Sequence, residues 1–224
     1  RLHSTSRRTS PTEHAVAQPF TLASQAQLRR GAQMPRLGFG VFQATNAKAS
    51  VATALAMGYR HVDSARYYKV RPLLLLQVFA LPASPSLIQG EVCAAVHKFK
   101  DGMPNEGNGA VWLTTKVQGQ EHGTAATAKA VDESAAIAQK HGLKWVRPIF
   151  ARSISSSLLL SSSLIWADAQ DLFLLHDPTA GKQKRLEAWK VLLEQRDQGV
   201  FKSAGVSNFV RHPFLDIPSI EVTS

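Results

Sequence analysis

The chain contains 224 residues, of which 44% are hydrophobic and 19% are charged. This balance allows a buried core and excludes the composition of a disordered protein, so we predict one globular domain. The formal net charge of +10 permits an acidic partner such as nucleic acid or a phosphorylated cofactor. The single cysteine, Cys93, excludes an intrachain disulfide. We interpret Cys93 as a buried packing residue because no metal-ligand or redox spacing surrounds it, and we predict no metal site.

Residues 1–20 are predicted to be a disordered leader. Arginine and serine are frequent there, and Glu13 is the lone acidic residue in the first thirty positions. The first thirty residues carry five arginines against this one acid, which is +4 of the net +10, and we predict no nucleic-acid partner. The leader is compatible with a mitochondrial transit peptide, whereas the single cysteine favours a reducing compartment, the cytoplasm. The apolar runs 73–81 and 158–166 are shorter than the ~20 residues of a membrane span, so we predict no membrane segment.

The remaining sequence alternates predicted strands with predicted helices. Short apolar stretches predict five strands, at residues 36–41, 59–63, 111–116, 171–176 and 203–207. Apolar residues at helical spacing predict four helices, at residues 46–57, 91–100, 123–141 and 186–198. This β-α order predicts parallel strands joined by right-handed crossovers.

Polar residues able to do chemistry stand at the ends of these strands. Asp63 ends the second strand, and Tyr68 follows it closely. Lys116 ends the third strand and His176 the fourth. Because the carboxyl ends of parallel strands converge on one site in an α/β barrel, we expect these four side chains to meet.

Several motifs in this order resemble the aldo-keto reductases, the NADPH-dependent carbonyl reductases built on a (β/α)8 barrel. The resemblance runs from about residue 21 to residue 209, and it rests on the segments 34–40, 58–68, 111–116, 171–176, 188–190 and 205–209. It implies an α/β fold, a nicotinamide cofactor, NADPH, and a small-molecule carbonyl substrate. It also implies that the complete protein is a monomer.

The resemblance assigns catalytic roles to the four strand-end residues. Tyr68 matches the family's proton donor, whereas its neighbour Tyr67 does not and is expected to be a packing residue or a pocket wall. Lys116 matches the partner of that tyrosine, since an ammonium beside a phenol favours the phenolate. Asp63 would hold Lys116 in place, and His176 would orient the carbonyl oxygen as a hydrogen-bond donor.

The resemblance also assigns residues to the cofactor. Ser207 and Asn208 match the pair that binds the nicotinamide carboxamide, and Val41 and Phe42 match the loop beside the cofactor. The family commonly has Thr-Trp at these last two positions, and its usual Asn-Glu after Tyr68-Lys69 is missing. A Rossmann interpretation of residues 38–43 fails, because the third glycine of the Gly-x-Gly-x-x-Gly motif is absent.

Residues 70–89 and 147–170 look foreign to a barrel, and so does the tail 210–224. The first carries prolines beside a leucine run, and the second is a low-complexity serine and leucine tract. Each opens with Val-Arg-Pro, at 70–72 and 146–148, and closes with glutamine. Valine codons begin with GT and one glutamine codon is CAG, which are the usual borders of a spliceosomal intron. Excising both brings the motif spacing close to the ~30 residues of a βαβ unit. We therefore favour retained introns over two genuine surface-loop insertions.

Residues 21–209 are thus predicted to form an incomplete barrel, with about five of the eight strands that closure requires. Such a sheet exposes strand edges and is expected to be poorly stable. Two functions follow from this. The chain is either an NADPH-dependent reductase of aldehydes or ketones, or a catalytically inactive truncated fragment without stable cofactor binding. A small regulatory module is a third, weaker alternative.

Overall fold

The computed structural model describes residues 21–28, 31–68, 87–102, 110–143 and 171–210. The predicted leader, the segment 147–170, and nearly all of the segment 70–89 and of the tail lie outside the described residues. No described helix is long and apolar enough to cross a membrane.

A five-stranded parallel sheet forms the centre of the molecule, with the strands in chain order. Its strands are β3 (Phe39–Gly40), β4 (His61–Asp63), β5 (Trp112–Val117), β6 (Leu172–Leu175) and β7 (Ser203–Val206). A short antiparallel hairpin precedes it, formed by β1 (Gln25–Gln27) and β2 (Gln33–Pro35). Four helices follow or connect the strands: α1 (Ala47–Ala56), α2 (Leu87–Asp101), α3 (Thr124–Lys140) and α4 (Lys182–Asp197). A 3-10 turn, Gly119–Glu121, follows β5.

The core lies between the sheet and the helices. Strands β4 and β6 turn Val62, Phe173 and Leu175 toward the helices, and all three are fully buried. They pack in one cluster with helix residues that include Leu55, Val96, Trp189 and Leu192. Strand β5 is buried along its whole length, as expected for the middle strand of a parallel sheet. Cys93 is also buried, and burial raises the pKa of its thiol to about 12.

The predicted helix ends follow ordinary capping chemistry. The Asn46 side chain accepts a hydrogen bond from the Ala49 backbone N–H at 3.0 Å and so caps α1. Gly58 follows that helix with φ of 98°, a conformation that glycine adopts without strain. Two helices begin earlier than predicted. Helix α4 begins at Lys182, and its polar first turn carries no apolar signal in the sequence. Helix α2 begins at Leu87. Ile88 and Gln89, which were assigned above to a foreign segment, are therefore buried residues of this helix.

The sheet has two ends, β3 and β7, which do not pair with each other among the described residues. The predicted α/β architecture with five parallel strands is therefore confirmed. On the face away from the helices, Leu172 and Leu174 are only half-buried, while Phe173 and Leu175 between them are fully buried. This inner face is the one that would line a barrel.

Candidate active site

Lys116 lies at the carboxyl end of β5 with 4% of its surface exposed. Its ammonium donates to the phenol oxygen of Tyr68 at 2.8 Å and to the backbone oxygen of Ser64 at 3.0 Å. It also donates to the carboxylate of Asp63, with which it forms an ion pair. An ammonium has three N–H donors, so these three partners use its full hydrogen-bonding capacity.

The electrostatics of this group follow from the burial of Lys116. Removing an ammonium from water is costly unless an opposite charge compensates it. Asp63 supplies that charge from the neighbouring strand, and its side chain remains 39% exposed while that of Lys116 is 3% exposed. The carboxylate thus faces water on one side and the buried cation on the other.

Tyr68 has its hydroxyl on Lys116 and its ring between two other rings. The ring centroids of Tyr68 and Phe42 are 5.2 Å apart, and those of Tyr68 and His176 are 5.7 Å apart, both edge to face. The Lys116 ammonium lies 4.8 Å from the Tyr68 ring centroid. Tyr67 points elsewhere, with its ring 5.3 Å from the Arg66 guanidinium. The structure therefore separates the two adjacent tyrosines as the sequence predicted.

His176 follows β6 and presents its ring to Tyr68. Burial lowers the pKa of His176, and the positive charge of Lys116 lowers it further. A neutral imidazole at neutral pH can both donate and accept a hydrogen bond. Its backbone is fixed on both sides, since its N–H donates to the Val117 oxygen at 2.8 Å and its oxygen accepts from the Asn208 side chain at 2.8 Å.

The four residues expected at the cofactor divide into two groups. Ser207 and Asn208 follow β7 at the same sheet edge as His176, and the Asn208 amide donates to the Ser207 hydroxyl at 3.1 Å. Phe42 is 67% exposed beside Tyr68 and forms a wall of the site. Val41 is different, because its side chain is 1% exposed and belongs to the hydrophobic core. The structure thus brings three of the four to the site.

Asp177 is a residue whose role the sequence did not indicate. Its carboxylate accepts hydrogen bonds from the Gly119 N–H at 2.9 Å, from the Thr179 N–H at 3.0 Å and from the Thr179 hydroxyl. Burial acts to raise the pKa of Asp177, but these hydrogen bonds outweigh it and the pKa is lowered. The contact ties the loop after β6 to the 3-10 turn after β5. It therefore fixes the chain directly after His176.

Two cavities lie away from the candidate site. One of about 610 Å³ is lined by Arg66, Tyr67 and one side of α3, and one of about 640 Å³ lies at the amino ends of the strands, beside Trp112 and Lys202. Neither is lined by Tyr68, Lys116 or His176. The convergence of the four polar side chains, rather than cavity size, marks the candidate site.

The model of the aldo/keto reductase family matches residues 30–212, which is more than half of the chain. The chain belongs to the aldo/keto reductase family. Its five parallel strands are accordingly part of the family's (β/α)8 barrel.

The matches to individual family members cover most of this chain but only about half of each relative's length. The methylglyoxal reductase DkgA of Escherichia coli is 27% identical over 83% of this chain and 50% of its own length. Among solved structures, an aldo/keto reductase from Brucella melitensis is 26% identical with a TM-score of 0.57, over 85% of this chain and 56% of that one. A variant of Gox0644 in complex with NADPH is 25% identical with a TM-score of 0.54, over 85% and 51%. The chain thus spans about half the length of the curated relatives that it matches.

Proposed function

We propose that this site reduces aldehydes or ketones to alcohols with NADPH as the hydride source. The observation that carries the proposal is the Lys116 ammonium, which donates to the Tyr68 phenol oxygen at 2.8 Å while paired with Asp63. A phenol that must release and regain a proton near neutral pH needs such a cationic partner. The named relatives, a methylglyoxal reductase and an NADPH-bound family member, support the same chemistry.

In this mechanism a bound nicotinamide supplies the hydride that the carbonyl carbon receives. Tyr68 donates its proton to the carbonyl oxygen, and Lys116 stabilises the phenolate that remains. Asp63 compensates the charge of Lys116, and the His176 imidazole donates a hydrogen bond that orients the carbonyl oxygen. The C=O bond thereby becomes CH–OH, and Tyr68 regains its proton from water.

The residues present fit a nicotinamide in two respects. Ser207 and Asn208 place a hydroxyl and an amide at the sheet edge shared with His176, where they would hold the carboxamide. Phe42 leaves an exposed aromatic face beside Tyr68, against which a flat ring would pack.

The competing proposal is an inactive fragment without stable cofactor binding. It is supported by the two sheet edges that pair with no further strand among the described residues, and by the match to about half of each relative's length.

Titration of the full chain with NADPH, followed by tryptophan fluorescence and by turnover of methylglyoxal, decides between the two. We expect saturable quenching at micromolar cofactor and NADPH oxidation that depends on the aldehyde. Quenching without turnover would leave a cofactor-binding protein without carbonyl reduction. If the titration shows no quenching and no turnover, the chain is the inactive fragment.

A further inference from the structure

His61 lies on the same face of β4 as Asp63, two residues earlier. Successive residues of a strand alternate between faces, so positions 61 and 63 share one face, and positions 114 and 116 share one face of β5. The His61 Nε2 atom lies 2.8 Å from the Thr114 hydroxyl oxygen. The Lys116–Asp63 ion pair joins the same two strands two positions further along. Two side-chain links between β4 and β5 therefore stand one above the other.

The hydrogen-bond partners of His61 determine which ring nitrogen carries the proton. Nδ1 lies 3.1 Å from the backbone oxygen of Pro35, and a carbonyl oxygen can only accept. Nδ1 is therefore the protonated nitrogen, and Nε2 of the neutral ring accepts from the Thr114 hydroxyl. Burial lowers the pKa of His61, which agrees with a neutral ring.

The surroundings hold this ring closely in place. A Cβ atom added at Gly38 would lie 2.9 Å from the His61 Nδ1 atom, so a side chain at position 38 would displace the ring. Thr114 is 3% exposed, and its backbone oxygen accepts from the Ser64 N–H at 3.0 Å. Ser64 is also the residue whose oxygen accepts from Lys116. The backbone of Ser64 therefore contacts both links: its N–H donates to Thr114 and its oxygen accepts from Lys116.

We propose that His61 is a positioning residue: with Thr114 it forms a neutral, hydrogen-bonded floor that holds the Lys116 ammonium against Tyr68 and Asp63. The inference rests on the proposed function for its catalytic consequence, but the geometry of Lys116 can be tested without any cofactor. Loss of the Thr114 hydroxyl leaves Nε2 without its donor and loosens the layer beneath Lys116. The ammonium then no longer stays within hydrogen-bonding distance of the phenol.

The test compares Thr114→Val with Thr115→Val in the full chain. Both changes replace a buried hydroxyl on β5, but the Thr115 hydroxyl has no hydrogen-bond partner in the described structure. Acetylation of Lys116 by acetic anhydride, measured by mass spectrometry, reports the position of the ammonium. We expect several-fold faster acetylation in Thr114→Val, an unchanged rate in Thr115→Val, and recovery in Thr114→Ser, which keeps the hydroxyl. Alkylation of the buried Cys93, followed in the same samples, reports global unfolding and is expected to stay slow.

Nitrogen NMR of His61 and turnover complete the experiment. We expect a proton on Nδ1 in the parent chain, and in Thr114→Val a kcat lowered about 10- to 100-fold at unchanged NADPH affinity. Equal acetylation rates in the two valine variants, or a proton on Nε2 in the parent chain, would overturn the proposal. Should Cys93 alkylation show that Thr114→Val unfolds, His61→Asn replaces it, because asparagine keeps a donor for Pro35 but does not reach Thr114. A parent chain without turnover contradicts the proposed function, and acetylation with NMR then decides the inference.

Discussion

Tyr67 and Tyr68 are adjacent in sequence but differ in what they contact. The Tyr68 hydroxyl accepts from the Lys116 ammonium, whereas the Tyr67 ring lies against the Arg66 guanidinium. The two residues therefore offer a matched pair in which one phenol has a cationic partner and the other serves packing.

Tyr68→Phe is expected to lower carbonyl reduction by about 10²- to 10⁴-fold, because the change removes the hydroxyl proposed as the proton donor and little else. Tyr67→Phe is the control and is expected to keep the parent rate. Both kcat and the NADPH dissociation constant are measured, and the latter is expected to stay the same in both variants. Substantial turnover in Tyr68→Phe would show that the proton comes from another group.

The convergence expected from sequence is found where a strand ends in a polar side chain, whereas the catalytic roles assigned to those side chains stay predictions. Asp63, Tyr68, Lys116 and His176 came together as expected because parallel strands place their carboxyl ends at one edge. Val41 was assigned to the cofactor by motif alone, and the sequence offered no sign that its side chain turns into the core. Thr114 could have been found from its spacing to Lys116 on one strand face. Asp177 could not, because its partner Gly119 lies 58 positions away in sequence.

At the scale of elements, the loops after β5 and β6 are joined at Gly119. A Cβ atom at this position would lie 2.4 Å from an Asp177 carboxylate oxygen and 2.4 Å from the Thr179 hydroxyl oxygen. Glycine is therefore required by space, since the backbone must approach the carboxylate closely enough to donate to it.

Gly119→Ala is expected to lower the free energy of unfolding by about 1–3 kcal/mol, because the added methyl group pushes the two loops apart. Gly40→Ala is the control, since a Cβ atom there meets nothing within 4 Å. Urea unfolding followed by circular dichroism measures both. If the two variants unfold at the same urea concentration, the loop contact does not contribute to stability.

Helix and strand positions were predictable from sequence where apolar residues recur at a clear period. The prediction was least accurate at the polar first turn of α4 and in the short strand β3, whose two residues occupy part of the predicted segment 36–41. The hairpin β1–β2 was not predicted, because three-residue strands rich in glutamine carry little hydrophobic signal.

At the scale of the whole molecule, buried histidines make stability depend on pH. Burial lowers the pKa of His61, His122 and His176 below the ordinary value of 6.5. The unfolded chain therefore binds more protons than the folded chain as the pH falls below 6.5, and acid favours unfolding. Asp171 acts in the opposite sense, since burial raises its pKa and the folded chain then holds that proton more tightly than the unfolded chain does.

The free energy of unfolding is expected to fall as the pH is lowered from 7 to 5, by up to about 1.4 kcal/mol per pH unit for each histidine that stays neutral. Urea midpoints at a series of pH values measure this. Single His→Gln variants serve as controls and are expected to reduce the slope. A midpoint that does not change across this range would show that these rings titrate alike in the folded and unfolded chain.

The monomeric state, the cytoplasmic location and the intron origin of residues 70–89 and 147–170 stay predictions of the sequence. The parallel five-stranded sheet and the family are established. What sequence patterns could not supply is the exposure of the inner face, because half-buried Leu172 and Leu174 look the same in sequence as fully buried leucines.

The order of the strands predicts which parts of the candidate site are lost first when the sheet frays. Lys116 is on the middle strand; Asp63 ends the strand on one side of it, and His176 directly follows the strand on the other side. Phe42 and the pair Ser207-Asn208 follow the two outermost strands, each of which has one neighbouring strand within the part of the chain that the structure describes. Fraying from the margins would therefore release first the residues proposed to hold a nicotinamide, and would leave the Lys116–Tyr68 pair assembled. Under the proposed function, damage to this protein should first weaken cofactor binding, and only later the proton transfer.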